Sequence, residues 1–227
     1  MIRRRFDLIR LGRRLRHCAR PSAPAEIVSL AFALRIGTAS LSPIQVRAEL
    51  EAFLARVCEL EPRRVLEIGT AYGGTLFALA AAAHPDAHIA SLDLPSPMGY
   101  PPERELLYRA FARAGQRLDL VRADSHLPAT RDRIVALMGG SLDLLFIDGD
   151  HTYEGVRRDW ELYGPLVRAG GLVAFHDIVP GSEDVVGGVP RFWAELREAT
   201  AVDEIVAEQE QGGYGIGVVR VGQADLR

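Results

Sequence analysis

From residue 64 onward, apolar residues fall in short runs separated by longer amphipathic stretches. VLEI at 65–68, HIASLDL at 88–94, DLVRADS at 119–125, LLFI at 144–147 and LVAF at 172–175 predict five strands. VLEI, LLFI and LVAF are apolar almost throughout, the pattern of strands covered on both faces. Between them TLFALAAAA (75–83), ERELLYRAFARAG (103–115), RDRIVALM (131–138) and YEGVRRDWELYGPLV (153–167) predict helices, the last of them ended by Gly170 and Gly171. Strands alternating with helices at this pitch form a parallel sheet with helices on both faces. The tail differs. RFWAELREA (191–199) reads as a helix, VDEIVAE (202–208) and GYGIGVVRV (213–221) as strands, with the intervening glycines suiting an edge hairpin.

Upstream of the first strand the pattern is helical. AEIVSLAFALRI (25–36) and Pro43 to Leu60 predict two helices, with a break from Gly37 to Ser42. Residues 1–20 carry eight arginines against one acid, Asp7. They predict a basic helix that either docks Phe6, Ile9 and Leu15 on the body or a second subunit, or lies weakly on an anionic membrane surface. It lacks the apolar core of a secretory signal. The expected division is a helical extension over 1–45 and one α/β domain over 46–227.

Charge sharpens this picture. The whole chain carries −3, so the +7 of residues 1–20 leaves −10 for the other 207 residues. An acidic body argues against nucleic acid as a partner. With 48% hydrophobic and 25% charged residues the composition is that of a globular protein. No apolar run approaches the roughly 18 residues of a membrane span. Cys18 and Cys58 stand far apart without metal-like spacing, which favours a reducing, cytoplasmic setting. The early helices are also candidate homodimer material.

The chemistry gathers at the strand ends, where sheets of this kind bind ligands. After the first strand comes Glu67-Ile68-Gly69-Thr70-Ala71-Tyr72-Gly73-Gly74, whose glycines permit a tight turn and whose helix start offers free amides. Asp93 ends the second strand, where an acid can accept bonds from ribose hydroxyls or simply cap a turn. Asp124 and Ser125 follow the third strand, facing an adenine edge or capping the next helix. Asp148, Asp150 and His151 follow the fourth, His176 and Asp177 the fifth. A one-helix crossover makes these last two clusters neighbours. Carboxylates so placed suit a hard divalent cation, or bond to loop amides without one.

Over residues 45–221 the sequence resembles the class I S-adenosylmethionine-dependent methyltransferases. VLEIGTAYGGT resembles their first motif, with Ala71 at the usual middle glycine. FIDGDHTYEGVRRDWELYGPLVRAGGLVAFHDI, GVPRFWAEL and GYGIGVV are similar to a sugar and natural-product O-methyltransferase subfamily, the macrocin and cephalosporin-biosynthesis types. The resemblance implies a Rossmann-like, doubly wound, mostly parallel seven-stranded sheet with an antiparallel last strand, plus N-terminal helices. It implies that Glu67, Gly69, Thr70 and Gly73 hold the methionine part of S-adenosylmethionine, Asp93 its ribose, and Asp124 with Ser125 its adenine. Relatives bind magnesium after the fourth and fifth strands; Asp148 and Asp177 match those places, with His176 where relatives carry an acid. His151 matches the candidate general base, expected near an ordinary imidazole pKa of about 6.5, with Asp148 orienting metal or substrate. Asp150 is expected to brace the turn. The implied acceptor is a small-molecule hydroxyl, its pocket shaped by residues 96–102. A nicotinamide oxidoreductase and a non-enzymatic cofactor-binding protein are the alternatives.

Overall fold

The computed structural model describes residues 2–17, 21–41, 43–96, 98–208 and 211–222; Cys18, Ser42 and Pro97 lie outside them. In chain order the elements are α1 (Ile2–His17), α2 (Pro24–Ala33), a small hairpin of β1 (Arg35–Ile36) and β2 (Ala39–Ser40), α3 (Arg47–Leu60), β3 (Arg64–Ile68), α4 (Gly74–Ala82) and β4 (His88–Asp93). Then follow α5 (Glu105–Tyr108), β5 (Arg117–Arg122), α6 (Pro128–Met138), β6 (Leu142–Ile147), α7 (Tyr153–Tyr163), β7 (Val167–His176), α8 (Glu183–Val186), α9 (Val189–Ala199), β8 (Val202–Ile205) and β9 (Ile216–Arg220).

Seven strands form one sheet in the order β5-β4-β3-β6-β7-β9-β8. β9, the last strand of the chain, runs antiparallel to both β7 and β8, while the pairs from β5 to β7 are parallel. The sheet is therefore Rossmann-like, doubly wound and mostly parallel. Successive residues of each strand feed opposite faces, as the pleat requires. Val65, Leu144, Phe146 and Ala174 join the apolar layer that includes Phe53 of α3 and Phe77 of α4. Leu66, Leu145, Ile147 and Phe175 join the layer that includes Ile134 of α6, Val156 of α7 and Trp193 of α9.

The N-terminal helices belong to the first layer. Leu8, Leu11 and Leu15 of α1 are fully buried in it, together with Ile27 and Val28 of α2. The docking face of α1 thus differs from the expected one: Phe6 is 61% exposed and Ile9 half-buried. The reason is Asp7, which turns inward to accept bonds from the Thr38 amide (3.0 Å) and hydroxyl (3.1 Å), rotating the helix toward the hairpin.

Three further expectations change. The helix expected over 25–36 ends at Ala33, because Arg35 and Ile36 pair with Ser40 and Ala39. The helix expected over 103–115 shrinks to a 3-10 turn at Pro102–Arg104 and one α turn at Glu105–Tyr108. Leu107, Tyr108, Ala110 and Phe111 are all buried there. Gly170 and Gly171 lie inside β7, not at a helix end; α7 gives way earlier, to a 3-10 turn at Gly164–Leu166. A side chain at Gly171 would press on Val167 and the Asp143 carbonyl, so the close approach of β6 requires glycine.

Strand order reverses between β3 and β6, and this is where the site forms. The Asp148 amide donates to the Ile68 carbonyl (2.9 Å) and the Gly69 amide to that of Leu92 (2.9 Å), so the ladder runs to the strand mouths and opens there.

Candidate active site

The turn after β3 is built for close approach. Gly69 has φ 85°, and a Cβ on it would collide with the carbonyl oxygen of Asp148. Gly73 has φ 80° and lies over the ring of Tyr108, which fills the space any side chain would need. Ala71, at the position where a glycine was expected, keeps a left-handed φ of 44°, a conformation costing about 1–2 kcal/mol for an L-residue. The strain is offset by a brace from the α5 region. The Tyr108 hydroxyl donates to the Ala71 carbonyl (2.7 Å), and Arg104 donates to the carbonyls of Tyr72 and Ser40. Nothing in the local sequence pattern marks Tyr108 or Arg104. We expect Tyr108→Phe to cost about 1 kcal/mol of stability and to weaken cofactor binding severalfold by releasing the turn. Thermal melting and titration with S-adenosylhomocysteine would check this; unchanged affinity would show that the turn holds itself.

Glu67 and Asp93 lie beneath this turn. Glu67 is fully buried and neither carboxylate oxygen has a hydrogen-bond partner. Burial, with Asp148 and Asp93 nearby, holds its carboxyl well above the usual range. Asp93 accepts from the Leu94 amide (2.7 Å) and the Thr70 amide (3.3 Å), and burial raises its pKa against these bonds. The Thr70 hydroxyl pairs with that of Ser91 on β4, and Thr70 lines the cavity. Asp124 does not cap α6, whose N-cap is Leu127 without a side-chain bond. It closes a turn one step earlier, accepting from the His126 amide (2.9 Å), while the Ser125 carbonyl accepts from the Tyr163 hydroxyl (2.8 Å).

The mouths of β6 and β7 meet as expected. Asp148 lies 3.2 Å from His176 Nδ1 and 3.5 Å from His151 Nε2, and it accepts a 2.9 Å bond from the amide of Gln45. Gln45 is fixed in turn by the Thr75 hydroxyl (2.7 Å), so it links α4 to the corner. No local pattern marks Gln45, which stands 103 positions from Asp148. Asp177, at φ 61°, accepts from the Tyr214 amide (3.2 Å) and reaches His151 Nδ1 at 3.4 Å.

Charge in this corner departs from the expectation of an ordinary imidazole at His151. The bond to Asp148 outweighs burial and, with the Val185 carbonyl at 2.6 Å, raises His151 to about 9. Burial would depress His176, but Asp148 and Asp177 raise it to about 10. Burial would raise Asp148, yet the two histidines hold it at about 2. The shifts favour imidazolium at His151 and His176 and the carboxylate at Asp148.

The atoms gathered tightly enough for a cation are those of Asp148, His151 and Asp177, all within 4.8 Å of one another. His176, expected in the metal set, instead turns Nδ1 to the two aspartates and buries an unpartnered Nε2. Asp150 stays out of the cluster and accepts from the Thr152 amide (2.8 Å), bracing the turn into α7. These strand mouths open into one cavity of about 810 Å³. Its lining runs from Gly69 and Asp93 through Asp124 to His151 and Asp177, with Ile44, Tyr72, Met98 and Val185 forming an apolar rim. Met98 and Tyr100 come from the 96–102 loop singled out in the sequence.

Comparison with known proteins adds a family to this geometry. A family profile described as a methyltransferase domain matches residues 66–178. Over 179 residues the chain is 32% identical to the catechol O-methyltransferase of Mycobacterium tuberculosis, covering 77% of this chain and 72% of that one. The chain belongs to the class I S-adenosylmethionine-dependent O-methyltransferases. An uncharacterised protein of Sinorhizobium fredii is 31% identical over 150 residues, but the methyltransferase chain spans only 15% of its length. Among solved structures, the O-methyltransferase of Bacillus cereus in complex with S-adenosylhomocysteine matches 90% of this methyltransferase and 93% of itself, with TM-score 0.58 at 19% identity. A mycinamycin-pathway methyltransferase, solved with Mg, S-adenosylhomocysteine and mycinamycin VI, matches 91% of this chain and 56% of its own, with TM-score 0.59 at 19% identity. Family membership decides against the oxidoreductase and against a merely cofactor-binding protein.

Proposed function

We propose that the methyltransferase acts on a hydroxyl of a small organic acceptor, a sugar or natural product, and that residues 46–227 bind the cofactor while residues 1–45 shape the acceptor side. The observation that carries this reading is the single cavity joining two chemically different ends. At one end, Asp93 and Asp124 suit the ribose and base of S-adenosylmethionine, with Gly69, Thr70 and Ser125 beside them in the lining. The buried, unpartnered carboxyl of Glu67, suited to the amine, and Gly73 stand next to this end in the chain but outside the lining. At the other, His151 and Asp148 lie below an apolar rim suited to a carbon skeleton. The mycinamycin-pathway neighbour supports an acceptor of that class.

In the reaction the acceptor oxygen forms a bond to the methyl carbon as the carbon–sulfur bond breaks, and the electron pair stays on sulfur. Alignment of the two reactants supplies most of the acceleration, up to about 7–11 kcal/mol. His151 accepts the hydroxyl proton from its neutral form, and Asp148 and Asp177 stabilise the imidazolium that results. Asp148, His151 and Asp177 would also fit a divalent cation, magnesium or, given the imidazole, manganese, and a ring so held would be a ligand in place of the proton acceptor. Bound there, the cation would orient the acceptor oxygen and favour its deprotonated form. An S-adenosylmethionine-fed reaction in a chain with Cys58 as a free thiol suits the cytoplasm.

Calorimetric titration with S-adenosylhomocysteine tests the cofactor end. We expect tight binding that Asp93→Ala weakens about tenfold to a hundredfold, the loss of charged hydrogen bonds to the ribose. Transfer of radiolabelled methyl across sugars, phenols and macrolides then identifies the acceptor, and labelling of amines alone would overturn the hydroxyl assignment.

The outer face of α1 supports weak association with anionic membranes. Arg3, Arg4, Arg5, Arg10, Arg13, Arg14 and Arg16 are exposed, and no salt bridge engages them among the described residues. Each contributes up to about 1 kcal/mol near an anionic leaflet. Sedimentation with phosphatidylglycerol-containing vesicles at low salt, released by high salt, is the expected result; equal behaviour with pure phosphatidylcholine would rule it out. No helix among the described residues is long and apolar enough to cross a membrane.

A further inference from the structure

Asp159 has no part in the chemistry above, yet it is the most conspicuous buried charge behind the site. It lies on α7, is 0% exposed, and neither carboxylate oxygen has a hydrogen-bond partner. Burial is the main influence on it and pushes its pKa up to about 6, against the opposing effects of the nearby Ser125 hydroxyl, a donor beyond the ordinary bond length, and of His126. A native buried polar group left unpaired marks a place where the protein is set up for something besides stability.

Its nearest charged neighbour is His126. The Nε2 atom of His126 is itself buried and unpartnered, and it stands 3.7 Å from Asp159 Oδ1, just beyond hydrogen-bond length. The ring lies between Asp159 and the cavity: His126 lines the cavity beside Asp124 and Ser125. Its Nδ1 is 3.9 Å from Asp124 Oδ1, the oxygen that also receives the His126 amide at 2.9 Å. On its other side Asp159 Oδ2 lies against Gly149, where a side chain would come within 3.5 Å of it.

We propose that Asp159 is a positioning residue for recognition of the cofactor's base: by accepting a hydrogen bond from His126 Nε2–H, it leaves His126 Nδ1 as a lone-pair acceptor that, together with Asp124, receives the exocyclic amine of adenine. This rests on the reading that S-adenosylmethionine binds with its base over the 124–126 turn. In a neutral imidazole whose one ring nitrogen donates to a carboxylate, the proton sits on that nitrogen and the other accepts. Two acceptors match the two N–H bonds of an amine. They oppose the carbonyl oxygen that hypoxanthine carries at the same place, leaving acceptors unpaired on both sides.

The test compares S-adenosylhomocysteine with S-inosylhomocysteine by calorimetry. Wild-type protein is expected to prefer the adenosyl ligand about tenfold to a hundredfold, the effect of one unmet polar contact. Asp159→Leu removes the acceptor but leaves His126 Nε2 buried without a partner, so it is expected to lower the melting temperature, whereas exchanging both members for apolar residues is the milder change. It is expected to cut the preference to a fewfold, mainly by weakening the adenosyl ligand. His126→Phe, which keeps a ring but no acceptor, is expected to do the same, and the double variant to add nothing, since the two act as one unit. Should Asp159→Leu fail to fold, His126→Phe carries the comparison. A preference that survives in the variants, or equal weakening of both ligands, overturns the proposal. Failure of wild-type protein to bind either ligand would instead overturn the cofactor reading on which it rests.

Discussion

Asp148→Ala is expected to cost roughly 3 kcal/mol of folding stability near pH 6, the low end for breaking a buried ion pair because Asp148 keeps 18% side-chain exposure. Its carboxylate is the common partner of His176 at 3.2 Å, His151 at 3.5 Å and the Gln45 amide at 2.9 Å. Without it, two imidazolium ions share Asp177 alone, and they shed protons to relieve the strain. The sign of the pH dependence follows from the shifts. His176 is raised from 6.5 to about 10, so its contribution is complete below about 6.5 and vanishes as pH rises through 10. Asp148 is lowered from 3.8 to about 2, so its contribution is complete above about 3.8 and is lost as pH falls through 2. Both describe one interaction, greatest between about pH 4 and 6.5. Guanidinium unfolding of wild type and variant near pH 6 and near pH 10 should show a gap at the first that closes at the second. A gap independent of pH would mean that Asp148 acts through packing and not through the histidines.

The second large effect is kinetic. In EDTA-treated protein, kcat/KM is expected to rise about tenfold per pH unit from 7 toward 9 and then level off. Only about one His151 in a hundred is neutral at pH 7 when its pKa is near 9, and only the neutral ring can accept the acceptor's proton. His151→Ala should remove about 10²- to 10⁴-fold of rate and flatten the profile. The bond to Asp148 is the leading cause of the raised pKa, so Asp148→Ala should move the break toward 6.5 in whatever activity remains. A wild-type profile already flat between pH 7 and 9 would assign His151 to holding the Val185 segment, through its 2.6 Å bond to that carbonyl.

Much of the fold is legible in periodicity. Unbroken VLEI, LLFI and LVAF become the central strands β3, β6 and β7 because a strand covered on both faces has no use for polar alternation. Polar residues massed at strand ends mark the cavity for the same reason: buried strands tolerate them nowhere else. Local pattern misleads where distant contacts shape the backbone. Residues 103–115 look helical, yet only Glu105–Tyr108 forms an α turn, and Tyr108 is packed under Gly73. Gly170 and Gly171 look like a helix end, but they serve the passage of β7 beside β6.

The alternating order of strands and helices, the glycine turn after β3, and the acids and histidines at each strand mouth can be read along the chain, since they depend on neighbours a few residues apart. The character of those groups comes from the fold. Glu67 is set well above its usual range by full burial and by Asp148 and Asp93, and His151 is a cation because Asp148, Asp177 and Val185 converge on it. Gln45, Tyr108 and Asp159 enter the site or its supports from elements distant along the chain. Burial and through-space charge fall off with distance in space and not along the sequence, so no reading of a linear pattern assigns them.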